Sequence, residues 1–265
     1  MTGLSKSSAF LLLQLVAFWP VWRWYVSRLL DSSDEPWGLL ALVTALLFIG
    51  LRGKEVKISS RQMIVSSVFL FVYLVTFKAL PPLGRAFLAV MSIASILSPS
   101  RFGRSVHIGI IGLLLLSLPI IASLQFYLGY PVRFVTAIIA SKLITLTGYY
   151  TTAAGTCLSW AGEIISIDAP CAGIRMLWTG LYLNFTLACF NGLNTIRTWL
   201  TYSLSMLIIF TGNVMRVTAL FYMETGILHG PPWIHNGIGL VAFTAVTLAI
   251  VSLHSSLKKA EGGVR

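Results

Sequence analysis

The chain has 265 residues, 57% of them apolar types and 10% charged, with a mean hydropathy of +0.85. A soluble domain carries about 25% charged residues, so this composition excludes an ordinary water-facing surface. It predicts an all-α polytopic membrane protein, one membrane-embedded domain over residues 1–265. The net charge of +11 sorts by position and does not point to nucleic acid. Eleven cations (Lys6, Arg52, Lys54, Lys57, Arg61, Arg101, Arg104, Arg197, Lys258, Lys259, Arg265) stand beside two acids, Glu55 and Glu261; the other eight cations share their segments with six acids. That is the positive-inside bias, with both termini cytoplasmic. Arg23 and Arg28 fall on the other side of it.

In chain order, the first apolar stretch, Ser8–Leu30, closes on Trp22, Trp24 and Tyr25, an interfacial aromatic belt. It lacks a small-residue cleavage site and leads into further spans, so it predicts a span and not a signal peptide. The acidic loop from Asp31 to Pro36 belongs outside. Trp37–Leu51 returns as a short span, Met63–Leu80 goes out, Pro81 and Pro82 turn the chain, and Leu83–Leu97 comes back. Ile108–Leu128 goes out again, with Pro119 kinking the helix without ending it.

Pro131–Tyr150 predicts an amphipathic helix at the outer interface. Phe134, Val135, Ile138, Ile139, Leu143 and Leu146 form its apolar face, with Arg133, Thr136, Ser141 and Thr145 on a second face; Lys142 interrupts the apolar side. The competing reading is a buried span in which Arg133 and Lys142 find partners inside. Thr156–Trp160 and Glu163–Ile167, separated by Ala161 and Gly162, predict a small outer β-hairpin. Gly173–Leu193, Thr195–Met223 and Ile234–Ser256 then alternate inward, outward and inward. The sum is about eight transmembrane helices plus the interfacial helix and the hairpin, with residues 131–256 carrying the active-site core.

The chemistry is bounded by elimination. Intramembrane aspartyl proteases need two carboxylates within helices, and all eight acids fall in or beside loops. No helical His-Glu-x-x-His exists; Glu224 and His229 have the wrong spacing, and the four histidines and three cysteines form no ligand cluster. No metal and no cofactor is expected. Three features remain. Asp168 is a candidate N-cap and Pro170 suits a first turn, which would place Cys171 among the first residues of a helix. The free amides and helix dipole there favour a thiolate, and Arg175, four residues on, favours it further. The plain alternative is a small buried cysteine, as Cys189 reads; Cys157 is either incidental or a bridge partner for Cys171. Arg216, with Asn213 one turn before it, lies toward the outer end of its span, where a guanidinium needs a partner or water. Snorkelling to headgroups is the plain alternative. His235 opens the last span, with Gly237 and Gly239 thinning that helix. Cys171, Arg216 and His235 thus begin or end three successive spans at one surface. Thiolate, cationic oxyanion stabiliser and proton carrier are the parts of acyl transfer through a thioester.

On Pro170-Cys171-Ala172-Gly173-Ile174-Arg175, Asn213-Val214-Met215-Arg216 and His235-x-x-x-Gly239, the chain resembles the exosortase/archaeosortase family of membrane-embedded transpeptidases. The resemblance covers roughly residues 133–256. It implies eight spans with an outward-facing Cys–Arg–His site, carried here onto Cys171, Arg216 and His235, with Arg175 a further basic position. His235 suggests the bacterial branch, since archaeal relatives tend to lack it. Ala172 departs from the small hydroxyl residue common in the family. The implied substrates are exported proteins with a C-terminal signal: a short motif often containing Pro-Glu-Pro, a spanning helix and a basic tail. Inner-membrane residence, with the site facing the periplasm and lipids around it, follows from the same resemblance. Two other readings stay open. One is a non-catalytic transporter or lipid-handling protein with Arg133, Lys142, Arg175 and Arg216 around an anionic headgroup. The other is an acyltransferase that uses the same cysteine without cutting its partner.

Overall fold

The computed structural model describes residues 6–30, 37–51, 58–103, 105–167, 173–231 and 233–262. The described elements run α1 (Lys6–Ala17), α2 (Trp19–Leu30), α3 (Trp37–Leu51), α4 (Ser60–Thr76), α5 (Pro82–Phe102), α6 (Ile108–Leu116), α7 (Ile121–Leu146), β1 (Thr152–Ala154), β2 (Cys157–Trp160), β3 (Glu163–Ser166), α8 (Ile174–Asn191), α9 (Thr195–Glu224) and α10 (Trp233–Gly262). By length and hydropathy, α5, α7, α9 and α10 are long and apolar enough to cross a bilayer. The bent pair α1–α2 makes a fifth, and α3 and α4 are shorter apolar helices. This is a multi-pass helical membrane protein with a small sheet, and the expected count of eight spans is not reached on these criteria among the described residues.

Two proline positions behave differently from the sequence expectation. The first span is two helices bent by 58°, because Pro20, in the first turn of α2, has no amide to offer the last turn of α1. Pro119 ends its helix instead of kinking it. α6 stops at Leu116, Ser117 Oγ donates to the Leu114 carbonyl at 2.7 Å, and α7 begins at Ile121. Pro131, expected to open a separate interfacial helix, lies inside the 26-residue α7. There one lost amide bond is outweighed by continuous packing.

The chain packs as two compact units, residues 1–120 with 188–199, and residues 121–187 with 200–265. In the first, Ser92 Oγ on α5 lies 2.8 Å from Ser66 Oγ on α4 and 3.0 Å from Gln14 Oε1 on α1. Phe18 meets Tyr73 edge-on at 5.0 Å. A polar knot of this kind pins apolar helices that otherwise gain little from packing in lipid.

In the second unit, α7 turns Thr136, Ala137, Ala140, Ser141 and Ile144 inward, while Phe134, Val135 and Leu146 are exposed. The separate interfacial helix expected over Pro131–Tyr150 is instead the second half of this longer helix. Large apolar side chains meet lipid, and small or hydroxyl ones meet protein, as packing inside a bilayer requires. Arg133 is half-buried, with Nε donating to the Gly129 carbonyl at 3.1 Å and Nη1 to the Ile167 carbonyl at 3.3 Å. Lys142 is exposed. Ala137, Ala140 and Ile144 form a core with Leu158, Ile167, Val217 and Phe221.

The hairpin forms as expected and gains a strand. The sheet order is β1-β2-β3, all antiparallel, with Trp160 opposite Glu163 across Ala161 and Gly162. Both turn residues have positive φ, 50° and 85°, the two-residue turn whose twist matches the flanking strands. Met176, Ile209, Val246 and Ile250 join α8, α9 and α10. At the far end of these helices, buried Asn184 Oδ1 accepts from Ser205 Oγ at 3.1 Å and lies 3.0 Å from His254 Nε2.

Candidate active site

The three sequence motifs meet through glycines. α8 begins at Ile174, and Gly173 before it has φ +77°, with its carbonyl accepting from Leu177 N–H at 2.8 Å. Asp168 and Cys171, expected as N-cap and first-turn residue, lie outside the described residues. A Cβ on Gly173 would stand 2.6–2.8 Å from the Asn213 side-chain atoms. The glycine of the cysteine motif is therefore in direct contact with the asparagine of the arginine motif. Only a residue without a side chain fits both that approach and the left-handed φ.

Arg216 lies one turn beyond Asn213 on α9. A Cβ on Gly239 would be 3.5 Å from Arg216 Nε and 3.8 Å from Nη2. The guanidinium thus lies over the bare backbone of α10, one turn below His235. Arg216 Nε is buried and has no hydrogen-bond partner among the described residues. Buried polar atoms are usually hydrogen-bonded, so this nitrogen has donor capacity to spare for an acceptor. Asn213 itself is buried.

Nearer the end of α9, Glu224 Oε1 lies 3.3 Å from His235 Nδ1, both side chains being about half exposed (53% and 45%). Sequence reasoning missed this pair, having weighed Glu224 only as a metal ligand beside His229. The signal was present: between Asp168 and Glu261 the chain has no other carboxylate. A carboxylate on Nδ1 fixes the imidazole ring and leaves Nε2 for proton transfer. With Gly212 against Val246, the contacts Arg216–Gly239 and Glu224–His235 read as rungs of one antiparallel α9–α10 seam.

Of the remaining expected residues, Arg175 is exposed on the first turn of α8, and His229 is exposed in the loop before α10. Cys157 is a half-buried free thiol on β2, and Cys189 is buried. Two hollows flank the seam. One, of about 340 Å³, is walled by Leu158 of β2, by residues 163–167 of the β3 region, by Val217, Leu220, Phe221 and Glu224 of α9, and by His235. The other, of about 660 Å³, is an almost wholly apolar groove between α9 and α10, with Arg216 on its wall beside Met215, Ala219, Trp233 and Ile238.

Residues 4–252 match the family model described as Transmembrane exosortase (Exosortase_EpsH). No curated protein and no solved structure matches the chain.

Proposed function

The chain belongs to the transmembrane exosortase family, and on that premise we propose that it is a cysteine transpeptidase that removes the C-terminal sorting signal of exported proteins. The observation that carries this reading is the run of contacts Gly173–Asn213, Arg216–Gly239 and Glu224–His235, which joins all three motifs in one compact unit. Cys171 is two residues before Gly173, so their Cα atoms are at most about 7 Å apart by chain geometry.

In the proposed reaction the Cys171 thiolate attacks the carbonyl carbon of the scissile peptide, forming a C–S bond. Arg216 donates to the oxyanion, a task suited to its otherwise unpartnered nitrogen. His235, held by Glu224, gives a proton to the leaving amine as the C–N bond breaks and the helical tail departs. Water or an acceptor amine or glycan hydroxyl then attacks the thioester, losing its proton to His235, and the thiol is released. The apolar groove beside Arg216 suits the substrate's own membrane helix, whose binding would hold the peptide bond in reach.

The proposed topology has eight crossings of the bacterial inner membrane: α1–α2, α3, α4, α5, α7, α8, α9 and α10. α7 takes the fifth crossing, once assigned to Ile108–Leu128. Both termini are then cytoplasmic and the site faces the periplasm. The test is Cys171→Ala expressed with an exported protein bearing the motif, helix and basic tail. Full-length substrate should accumulate in the membrane, and normal processing by that variant would reject the mechanism. A lipid-binding protein would tolerate Cys171→Ser, and an acyltransferase would leave a product of increased mass instead of a shortened one.

A further inference from the structure

We infer that Arg85, at the head of α5, holds the phosphate of an anionic membrane lipid, at a binding site in the first unit that takes no part in the proposed reaction. Arg85 stands in the first turn of α5, with its guanidinium seated over the Phe77 ring, 4.6 Å from the centroid. Phe77 in turn meets Tyr73 edge-on at 5.5 Å, so ring packing fixes the place of the charge. The Arg85 side chain is half-buried, and its Nε is buried with no hydrogen-bond partner among the described residues. The Tyr73 hydroxyl is also buried without a partner. It belongs to a residue only 1% exposed and lies within electrostatic reach of Arg85. A guanidinium can only donate and a phenol donates readily. Buried polar groups are hydrogen-bonded as a rule, so what this pair lacks is an acceptor.

Three further features make that acceptor an anion at the membrane surface. The described residues of this unit contain no carboxylate, so none of them neutralises Arg85. α5 starts on Pro81, whose side chain caps nothing. The amides of Leu83 and Gly84, without intrahelical acceptors by helix geometry, add the positive end of the helix dipole. Lys78, in the turn between α4 and α5, is exposed and adds a second cation. The depth also fits. α5 has 21 residues, about 32 Å, which matches a hydrocarbon core of about 30 Å. Its start then stands at one border of the core with Arg85 about 4.5 Å inside, from where a long side chain reaches the headgroup phosphates. At the same end of these two helices Leu74, Val75 and Phe87 are exposed, a surface for acyl chains. A lipid supplies both the phosphodiester and the chains, whereas a free phosphate supplies only the first.

The test is native mass spectrometry of the delipidated protein in detergent, titrated with phosphatidylglycerol, with phosphatidylcholine and with inorganic phosphate. Phosphatidylglycerol should bind at one site at least tenfold more tightly than phosphatidylcholine, and a tenfold excess of inorganic phosphate should not displace it. Arg85→Gln should weaken this binding tenfold or more, because charge-assisted donors to the phosphate are lost. Lys142→Gln, which removes an exposed cation from the other unit, should leave it within twofold. Tyr73→Phe keeps the ring packing, removes only the hydroxyl, and should weaken binding at least threefold. Melting of each variant in the same detergent without added lipid separates binding from folding. If Arg85→Gln does not fold, Tyr73→Phe decides, and an unchanged affinity there overturns the proposal. Equal binding of the two lipids, or equal losses in Arg85→Gln and Lys142→Gln, also overturns it, since either result describes an unspecific lipid annulus. Displacement by inorganic phosphate would overturn the lipid as the source of the anion.

Discussion

At the scale of single residues, the contact between Glu224 and His235 makes the most direct demand. Because both side chains are about half exposed, water screens their attraction, and the carboxylate acts mainly by orienting the ring. Glu224→Gln should therefore lower kcat by about tenfold with KM little changed. His235→Ala should remove the whole acid–base contribution, about 10²–10⁴-fold. Glu224→Asp should recover part of the loss; a Gln variant with wild-type kcat would show that the pair is incidental. The two motif glycines give a sharper contrast. A methyl on Gly239 meets Arg216 at 3.5 Å, ordinary contact, whereas one on Gly173 runs into Asn213 at 2.6 Å on a backbone with φ +77°. Gly239→Ala should keep activity within about threefold, and Gly173→Ala should lose more than tenfold, since strain of about 1–3 kcal/mol adds to the clash. Equal processing by the two variants would contradict the packing. The sequence singled out Asn213, Arg216 and His235 by their spacing, and the structure sets Asn213 against Gly173, Arg216 against Gly239 and His235 against Glu224. The glycines' partners were not legible in it, because spacing along a chain carries no information about which bare backbone a neighbouring helix covers.

At the scale of elements, the sequence was read well where local physics decides and poorly where packing within the bilayer decides. The hairpin was legible because Ala161-Gly162 between alternating segments fixes a two-residue turn and its register. α7 was expected as an interfacial helix because Arg133, Thr136, Ser141 and Thr145 made one side polar; in the structure Phe134 and Val135 are exposed while Thr136, Ala137, Ala140 and Ser141 are buried within one long apolar helix. Prolines divided the same way: Pro119 and Pro131 look alike in sequence, and tertiary packing alone separates a break from a continuing helix. Asn184, Ser205 and His254 test the converse rule, that buried polar side chains hold membrane helices together. His254→Leu and Asn184→Leu should each cost about 0.6–2 kcal/mol, read as a fall in Tm in detergent. The double variant should cost less than the sum of the singles, because the 3.0 Å contact between them is lost only once. Strict additivity would mean the two residues act independently.

At the scale of the whole molecule, the charge pattern and the length of α9 constrain the depth of the site together. α9 has 30 residues, about 45 Å at 1.5 Å per residue, against a hydrocarbon core of about 30 Å. It must overhang the core by about 15 Å in total. On the proposed topology Arg197, near its start, belongs to the cytoplasmic set of cations, which would anchor that end at the inner interface. Counting from Thr195, Arg216 is then about 32 Å up the helix, at the outer border of the core, with Glu224 about 12 Å beyond it in water. α10 begins after Pro231 and returns, so His235 shares that side whether or not the 18-residue α8 crosses fully. Gly173, two residues after Cys171 in the chain, is tied to this level through Asn213. A membrane-impermeant maleimide should accordingly label Cys171 in a Cys157→Ser background when added to spheroplasts, and fail to label it in sealed inside-out vesicles. Cys189, buried in the protein, should stay unlabelled in both. A fluorescent protein fused at the C-terminus should fluoresce, as it does only in the cytoplasm. Labelling from the inside alone would put the cysteine across the bilayer from exported substrates, and the sorting function would fail with it.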